Sequence, residues 1–163
     1  LGHTIMPLKY LISACLAGHA VRYDAKSIPL RGLQRLMQTH EVITACPEML
    51  GGLSCPRLPA EIQNGSALDV LNGHAQVKDV LGTDVSKAFI EGAYQTLKLA
   101  QQHDVDIVVL KEFSPSCGTH AIYDGSFSRT KIEGQGITAT LLMQHGFQVM
   151  SEHEFLAMIE EQF

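Results

Sequence analysis

Three cysteines mark the part of this sequence best suited to chemistry, because each one follows an apolar run that predicts a strand. They are Cys15 after residues 8–14, Cys46 after residues 41–45, and Cys117 in the loop that follows residues 106–110. In an open parallel sheet, ligands bind outside the carboxyl ends of the strands, where the strand order reverses. A single cysteine there is most often a small buried apolar residue, but three at equivalent positions predict a joint site. The fourth, Cys55, lies in a Gly- and Pro-rich stretch and stays outside that site.

The chemistry of this site depends on what three thiols can hold. The sequence has no paired short spacing of the C-x2-C type that structural zinc usually shows, and its histidines form no ligand-spaced pair. The segment between Cys15 and Arg22 is one residue too long for a phosphatase loop of the C-x5-R type. Three soft thiolates suit an iron-sulfur cluster, which normally takes four. With three ligands, one iron keeps an open position and acts as a Lewis acid.

Polar side chains beside these cysteines are candidates to act on a substrate. Glu48 comes two residues after Cys46 and is a candidate general base for water, although a lone loop glutamate is more often a solvated carboxylate. Ser114 and Ser116 precede Cys117 in a Ser-Pro-Ser-Cys-Gly segment, so they are candidates to orient a substrate or to donate to a sulfur ligand. Serine and proline also simply form turns.

Cations and aromatic rings near these motifs are candidates for binding a substrate. A phosphate group would be bound by Arg22, Lys26 or Arg57, since arginine forms bidentate contacts with phosphate oxygens. A flat base would stack on Tyr23, Phe113 or Tyr123. The ordinary alternatives are surface charge or a structural ion pair for the cations, and core packing for the aromatic residues.

Composition limits the classes of function. The chain has 163 residues, with 12 Lys and Arg against 17 Asp and Glu, and no basic run of the kind that binds nucleic acid. No stretch approaches the roughly 18 apolar residues of a membrane span. Four cysteines without a secretion signal favour a reducing compartment, so we expect a cytoplasmic protein. We interpret residues 1–5 as a cloning remnant and expect one domain over residues 6–163.

The elements that must position the site alternate between strand and helix. Strand patterns cover residues 8–14, 41–45, 106–110 and 147–150, and helical patterns cover residues 30–39, 84–102, 137–145 and a last stretch opened by a capping box of Ser151 and Glu154. Continuously apolar strands are typical of a parallel sheet covered by helices on both faces. We therefore expect an α/β fold, a compact single-domain Rossmann-like doubly wound sheet, mostly parallel, with about four core strands. Residues 67–71 and 74–78 flank Asn72 and Gly73 and predict a small β-hairpin insertion.

Several short stretches, taken in order, resemble the bacterial domain family that contains thiouracil desulfidase. They are Ser13-Ala14-Cys15-Leu16, Arg22-Tyr23-Asp24, Cys46-Pro47-Glu48, Leu50-Gly51-Gly52-Leu53, Pro56-Arg57 with Pro59-Ala60-Glu61, Lys111-Glu112 with Ser114-Pro115-Ser116-Cys117-Gly118, and Tyr123-Asp124-Gly125. Several motifs in a fixed order are far more specific than any one of them. The resemblance implies a 4Fe-4S enzyme that replaces the thiocarbonyl sulfur of a thiouracil with oxygen, without net redox chemistry.

The resemblance also implies roles for single residues. The three cluster ligands of the family fall on Cys15, Cys46 and Cys117, and its acid/base glutamate falls on Glu48. Ser114 matches a serine placed near the substrate, with Ser116 as the alternative in that role. The implied substrate is a small thiolated pyrimidine: a free thiouracil, its nucleoside, or a nucleotide such as 4-thiouridine monophosphate. Because the chain is acidic, we expect no long nucleic acid as partner, and we expect a monomer that does not bind membranes.

Two other functions remain open from the sequence. The same cysteines would serve a thiol redox or persulfide-relay protein without iron, which needs exposed thiols of low pKa. A non-catalytic sensor that binds a cluster is the other alternative. A measurement of bound iron distinguishes the iron-free relay from the enzyme and the sensor, which both bind a cluster. Substrate turnover then distinguishes the enzyme from the sensor.

Overall fold

The computed structural model describes residues 7–18, 24 and 32–162, which form eight strands and six helices. The strands are β1 (Lys9–Ser13), β2 (Glu41–Ala45), β3 (Ala60–Gln63), β4 (Gln76–Asp79), β5 (Ile107–Leu110), β6 (Ala121–Tyr123), β7 (Lys131–Glu133) and β8 (Gln148–Ser151). The helices are α1 (Leu33–Thr39), α2 (Pro47–Leu50), α3 (Ala67–Leu71), α4 (Ser86–Gln102), α5 (Ile137–Gln144) and α6 (Glu152–Gln162). A 3-10 turn, Ala14–Ala17, follows β1 directly.

The central sheet has four parallel strands in the order β2-β1-β5-β8. The chain passes from β1 to β2 on one side and later to β5 on the other, so the strand order reverses between β1 and β5. Strands β1 and β2 end level with each other, with Ser13 opposite Ala45. The predicted α/β class, the parallel sheet and the four core strands are confirmed.

Helices cover both faces of this sheet, as the continuously apolar strands predict. One face packs against α1 and α6 through Tyr10, Ile12, Ile107, Val109, Leu33, Leu36, Phe155 and Ile159. The other face packs against α4 and α5 through Leu11, Val108, Leu110, Phe89, Ala93, Leu97, Leu141 and Leu142. Successive side chains of a strand point to opposite faces. Both faces are therefore apolar and buried, and the loops at the strand ends are left to carry the site.

The small antiparallel insertion shares only one of its strands with the prediction, because β4 overlaps the predicted strand at residues 74–78. Residues 67–71 form helix α3 rather than a strand, because Ser66 and Asp69 make a capping box. The Ser66 hydroxyl accepts a hydrogen bond from the Asp69 amide at 3.2 Å, and the Asp69 carboxylate accepts one from the Ser66 amide at 2.8 Å. Asn72 ends this helix instead of starting a hairpin turn. Strands β3 and β4, on either side of α3, form the antiparallel pair. The sequence pattern does not predict the second such pair, β6 with β7.

Local side-chain hydrogen bonds accompany the starts of α4 and α6. Helix α4 begins at Ser86 rather than Asp84, because the Asp84 carboxylate accepts hydrogen bonds from the amide and hydroxyl of Ser86 at 2.9 Å and 2.5 Å. The predicted capping box of α6 is confirmed: the Ser151 amide donates to Glu154 Oε1, and the Glu154 amide donates to Ser151 Oγ, both at 3.2 Å. Within the described ranges, no helix has the length and apolar character needed to span a membrane.

Candidate active site

A cleft of about 920 Å³ opens at the carboxyl ends of β1, β2 and β5, where the strand order reverses. All three predicted ligand residues line it. Cys15 lies in the 3-10 turn after β1, Cys46 immediately precedes α2, and Cys117 lies in the loop between β5 and β6. The carboxyl ends of parallel strands meet at one edge, which brings together residues that are far apart in sequence. Cys55 is not among the residues that line the cleft.

The pKa of the Cys117 thiol depends on burial, on Glu48 and on the other two thiols of the cleft. Burial raises the pKa of the Cys117 thiol, and the Glu48 carboxylate raises it further, as do Cys46 and Cys15 to a smaller extent. A hydrogen bond with the Ser116 hydroxyl acts in the opposite direction. Burial also raises the pKa of Cys46. Such thiols are inert as nucleophiles, whereas coordination to a metal removes the thiol proton outright.

The donor set fits an iron-sulfur cluster by its chemistry. Among the described residues, no three Cys, His, Asp or Glu side chains converge closely enough to hold one ion. Cys15 and Cys117 are only 7% and 6% exposed, which shields a bound cluster from solvent. The three cysteines therefore fit an iron-sulfur cluster, whose usual ligands are thiolates.

Arg57 holds Glu48 in the cleft. Arg57 Nε donates to Glu48 Oε2 at 2.7 Å, and Nη2 lies 2.5 Å from the same oxygen. Arg57 Nη1 donates to the Ser54 carbonyl oxygen at 3.1 Å, and Nη2 approaches Cys46 Sγ at 4.0 Å. Both charged side chains are mostly buried. The structure thus gives Arg57 the ion pair that the sequence offered as the alternative to a phosphate contact.

The position of Glu48 depends on close packing of α2 against α4. A Cβ atom at Gly92 would lie 1.9 Å from the carbonyl oxygen of Pro47, and one at Gly51 would lie 1.9 Å from the carbonyl oxygen of Ala88. No side chain fits at either position without moving the backbone opposite. Glycine at both positions therefore sets how closely α2, with Glu48 in its first turn, approaches α4.

The loop that carries Cys117 is folded around a buried carboxylate, Glu112. Its Oε1 accepts hydrogen bonds from the amides of Thr119, His120 and Ala121 at 2.7, 3.0 and 3.2 Å, and its Oε2 accepts one from the Thr119 hydroxyl at 2.7 Å. Burial alone would raise the pKa of Glu112, but these hydrogen bonds outweigh burial and lower it. The ionised carboxylate therefore ties the two ends of the loop together on either side of Cys117.

The two predicted serines take different places. Ser114 lines the cleft, and its Oγ accepts a hydrogen bond from the Cys117 amide at 2.7 Å. Ser116 is 1% exposed and lies outside the cleft lining, with its Oγ 2.8 Å from Thr138 Oγ1. Because Ser116 also bonds to Cys117, it lies behind that thiol. Ser114 is the serine that reaches the cleft.

Two of the aromatic candidates line the cleft as neighbours. The rings of Phe113 and Tyr123 have centroids 6.5 Å apart and planes inclined by 52°. The Lys131 ammonium lies 3.7 Å from the centroid of the Phe113 ring. The remaining predicted binding residues lie outside the described residues: Arg22, Tyr23 and Lys26.

One wall of the cleft comes from residues that the sequence does not single out. Phe127 and Arg129 line the cleft from the loop between β6 and β7. Glu61 of β3 holds that loop, because its Oε1 accepts hydrogen bonds from the amides of Gly125 at 2.9 Å and Phe127 at 3.2 Å. Glu61 and Gly125 both occur in the stretches that carry the family resemblance. The resemblance therefore singles out Glu61 and Gly125, but it does not predict the hydrogen bond between them.

Fold and site together define a doubly wound α/β enzyme whose cleft gathers three cysteines and a carboxylate at the reversal point of a parallel sheet. The sequence profile of the family described as 2-thiouracil desulfurase matches residues 10–154, and the chain belongs to that family. The resemblance carried by the sequence motifs is thereby confirmed, and with it the expectation of an enzyme.

Two relatives extend over nearly the whole chain. The uncharacterized protein YbbK of Bacillus subtilis (strain 168) is 46% identical over 144 residues, which are 88% of this chain and 95% of YbbK. The solved structure of the 4Fe-4S-dependent thiouracil desulfidase TudS has a TM-score of 0.80 and 38% identity, and the match covers 96% of this chain and 99% of that one. The cofactor named for TudS agrees with the cofactor predicted from the sequence.

Proposed function

We propose that this protein is a 4Fe-4S-dependent thiouracil desulfidase that hydrolyses the thiocarbonyl bond of its substrate. The reaction converts a thiouracil and water into uracil and hydrogen sulfide, and no electrons are exchanged. The observation that carries the proposal is the meeting of Cys15, Cys46, Cys117 and Glu48 in one cleft. Membership of the 2-thiouracil desulfurase family supports the reaction, and the similarity to TudS supports the cofactor.

Each residue of the cleft has a distinct part in this proposal. Cys15, Cys46 and Cys117 would hold the cluster. When bound, the cluster would supply Lewis-acid chemistry at the thiocarbonyl sulfur of the substrate. Glu48 removes a proton from the water molecule that attacks the ring carbon, and later returns that proton to the departing sulfur. Arg57 keeps the Glu48 carboxylate in place during both transfers.

Ser114 and the aromatic residues orient the pyrimidine ring. The Ser114 oxygen accepts a hydrogen bond from the Cys117 amide, so its own O–H group is left to donate. We propose that it donates to a polar atom of the ring. Phe113 and Tyr123 give the flat ring an apolar surface, which excludes water other than the reacting molecule. Ser116, behind Cys117, contributes by hydrogen bonding to a sulfur ligand.

A cluster-free thiol relay agrees less well with the cleft. Such a relay needs exposed thiols of low pKa. Burial instead raises the pKa of Cys117 and of Cys46. Cys15 and Cys117 are both buried. Both properties are the opposite of those that a relay requires.

The proposal also covers the identity of the substrate, the cellular compartment and the oligomeric state. The cleft suits a free thiouracil, its nucleoside or its nucleotide, and a phosphate group would contact Arg129 at the cleft wall, with Arg22 and Lys26 as the candidates from sequence. Arg57 is less suited to a phosphate because it already pairs with Glu48. We further propose a cytoplasmic monomer with one domain over residues 6–163.

Anaerobic incubation of the iron-reconstituted protein with 4-thiouracil tests the proposal. We expect the near-ultraviolet band of the thiocarbonyl group to disappear while one sulfide is released for each molecule converted. The same assay with 2-thiouracil, 4-thiouridine and 4-thiouridine monophosphate ranks the substrates. Iron-loaded protein that releases no sulfide from any of them would overturn the enzymatic proposal and favour a sensor. If the protein takes up no iron, the assignment of a cluster to the cleft is wrong and the thiol relay is favoured.

A further inference from the structure

Lys111 and Glu152 form an ion pair at the carboxyl edge of the sheet, beside the cleft. Lys111 directly follows β5, and Glu152 directly follows β8, the strand paired with β5. Their charged atoms, Nζ and Oε2, are 3.2 Å apart, and the Glu152 side chain is 8% exposed. Glu152 Oε1 accepts a hydrogen bond from the Glu112 amide at 3.0 Å. Glu152 therefore links the position of Lys111 to the start of the loop that carries Cys117.

The ammonium group of Lys111 is the counter-ion of a buried charge. Glu152 Oε2 is buried and receives no well-aligned hydrogen bond from the described part of the chain, so the nearby ammonium compensates it by charge rather than by an ideal hydrogen bond. An uncompensated buried carboxylate is strongly unfavourable. The structure therefore holds this lysine in one place, instead of leaving its flexible side chain to solvent.

The Lys111 ammonium has more N–H donors than its contacts with Glu112 and Glu152 use. A lysine ammonium carries three N–H groups. The Glu112 carbonyl oxygen accepts from it at 3.4 Å, and Glu152 lies beside it. At least one N–H group is left without an acceptor among the described residues, although Lys111 lines the cleft. The same ammonium lies 5.4 Å from the centroid of the Phe113 ring, the ring proposed above to contact the pyrimidine.

We propose that Lys111 is a further catalytic residue, which donates a hydrogen bond to a carbonyl oxygen of the pyrimidine ring, and that Glu152 is its positioning residue. This inference rests on the proposed function. Attack of water on the thiocarbonyl carbon places negative charge on the ring, and a fixed ammonium beside the ring offsets that charge. Among the described residues, the cations that line the cleft are Arg57, Lys111 and Arg129. Arg57 is held by Glu48 and Ser54. Lys111 lies 5.4 Å from the Phe113 ring and is fixed there by Glu152.

Protection from chemical labelling tests the contact without any substitution. The holoprotein is acetylated with a water-soluble, amine-reactive acetylating reagent, with and without uracil. The extent of acetylation at each lysine is then quantified by mass spectrometry. With uracil at ten times its dissociation constant, we expect acetylation of Lys111 to slow by about tenfold, as mass action predicts for an occupied site. Lys87 and Lys98, exposed on α4 and outside the cleft, are the matched controls and should not change. An unchanged rate at Lys111 overturns the inference.

A charge-balanced variant tests the same contact by binding. Lys111→Met alone leaves Glu152 as an uncompensated buried charge, so it is combined with Glu152→Gln. We expect the double variant to bind uracil about 10-fold to 100-fold more weakly than the wild type by calorimetry, the usual loss for a hydrogen bond to a charged group. Iron content should be unchanged. Glu152→Gln alone keeps the ammonium and should bind more tightly than the double variant. A folded, iron-loaded double variant that binds uracil like the wild type overturns the inference.

These outcomes separate the inference from the proposed function. If the wild-type holoprotein neither releases sulfide from thiouracil nor binds uracil, the proposed function itself is wrong. If it does both, and Lys111 is equally labelled with and without uracil, only the role of Lys111 is wrong. If the double variant does not fold, the labelling of the wild type decides alone.

Discussion

Two nitrogens of Arg57 contact one oxygen of Glu48, Nε at 2.7 Å and Nη2 at 2.5 Å from Oε2. The other carboxylate oxygen, Oε1, accepts no hydrogen bond from the residues that the structure describes. The same Nη2 approaches Cys46 Sγ at 4.0 Å. One guanidinium thus fixes the proposed base relative to a proposed cluster ligand, and leaves an oxygen of that base available for a proton.

Replacing Arg57 should disturb the position of Glu48 without changing how much iron the protein binds. Arg57→Lys keeps the charge but offers a point ammonium in place of a planar fork, so it cannot make both contacts with Oε2. Because small misplacements of a catalytic group are costly, we expect kcat/KM to fall by about 10²-fold. Iron content should stay at the wild-type value. Wild-type turnover in this variant would show that Glu48 does not need Arg57.

The assignment of the cluster ligands has a matched control within the chain. Cys15→Ser, Cys46→Ser and Cys117→Ser should each lose most of the iron, because a hydroxyl is a poor ligand for a cluster that prefers thiolates. Cys55→Ser should keep it, since Cys55 does not line the cleft. Iron and sulfide are quantified after anaerobic reconstitution. Loss of iron in Cys55→Ser, or its retention in any of the other three, would contradict the assignment.

Acid should loosen the Cys117 loop through Glu112. The hydrogen bonds to Glu112 lower its pKa in the folded state, so this carboxylate stabilises the fold above its usual pKa, about 4.5, and that stabilisation is lost as pH falls through the lowered value. Glu112→Gln should cost about 1.5–3 kcal/mol at pH 7, the range for hydrogen bonds to a charged group. The free energy of unfolding of the wild type should approach that of the variant below about pH 4.5. It is measured by urea unfolding at equal iron content.

Other carboxylates also lose stabilising contacts in acid, among them Asp69 and Asp84, whose pKa values are lowered by hydrogen bonds from Ser66 and Ser86. These groups are present in both proteins, so the difference between wild type and Glu112→Gln isolates Glu112. A difference that stays constant from pH 7 to below pH 4 would mean that Glu112 does not hold the loop by its charge.

In Gly92→Ala, the steric clash with the neighbouring backbone should outweigh the gain in helix propensity, so the variant should be less stable than the wild type. Alanine is favoured over glycine within a helix by about 1 kcal/mol. At Gly92, however, the added methyl group would lie 1.9 Å from the Pro47 carbonyl oxygen. Overpacking of this kind costs about 1–3 kcal/mol. We expect Gly92→Ala to lower the melting temperature and to reduce turnover, because α2 carries Glu48.

Gly134→Ala is the matched control for that variant. A Cβ atom there would make an ordinary contact, 3.4 Å from the Ile122 side chain, and Gly134 lies outside the cleft lining. We expect wild-type turnover in this control. Full activity of Gly92→Ala would show that the placement of α2 tolerates movement.

Some features of the fold follow from local sequence, whereas others depend on packing. The four core strands are predictable from short runs rich in apolar residues, and parallel topology predicts that the loops carrying Cys15, Cys46 and Cys117 meet at one edge of the sheet. The tight-turn signal of Asn72 and Gly73 fails because the capping box of Ser66 and Asp69 makes the preceding residues helical.

The contacts that organise the cleft are harder to predict. The Glu112 amide donates a hydrogen bond to Glu152 although the two residues are far apart in sequence. Glu112 belongs to one of the stretches that carry the family resemblance, but Glu152 does not, so the sequence does not predict this contact. Strands β6 and β7 have three residues each, too few to show a period. The loop between them brings Arg129 to the cleft, whereas the sequence offers Arg22, Lys26 and Arg57 as the candidates for binding a phosphate.

The most direct test of the hydrolytic mechanism follows the oxygen atom in a variant that lacks the base. Wild type and Glu48→Gln, matched for iron content, are incubated anaerobically with 4-thiouracil in H₂¹⁸O, and the uracil and sulfide formed are quantified by mass spectrometry and colorimetry. We expect wild-type uracil to carry one ¹⁸O for each sulfide released, and Glu48→Gln to be about 10²-fold to 10⁴-fold slower, the usual contribution of a general base. Unlabelled uracil from the wild type, or equal rates for the two proteins, would contradict hydrolysis with Glu48 as the base.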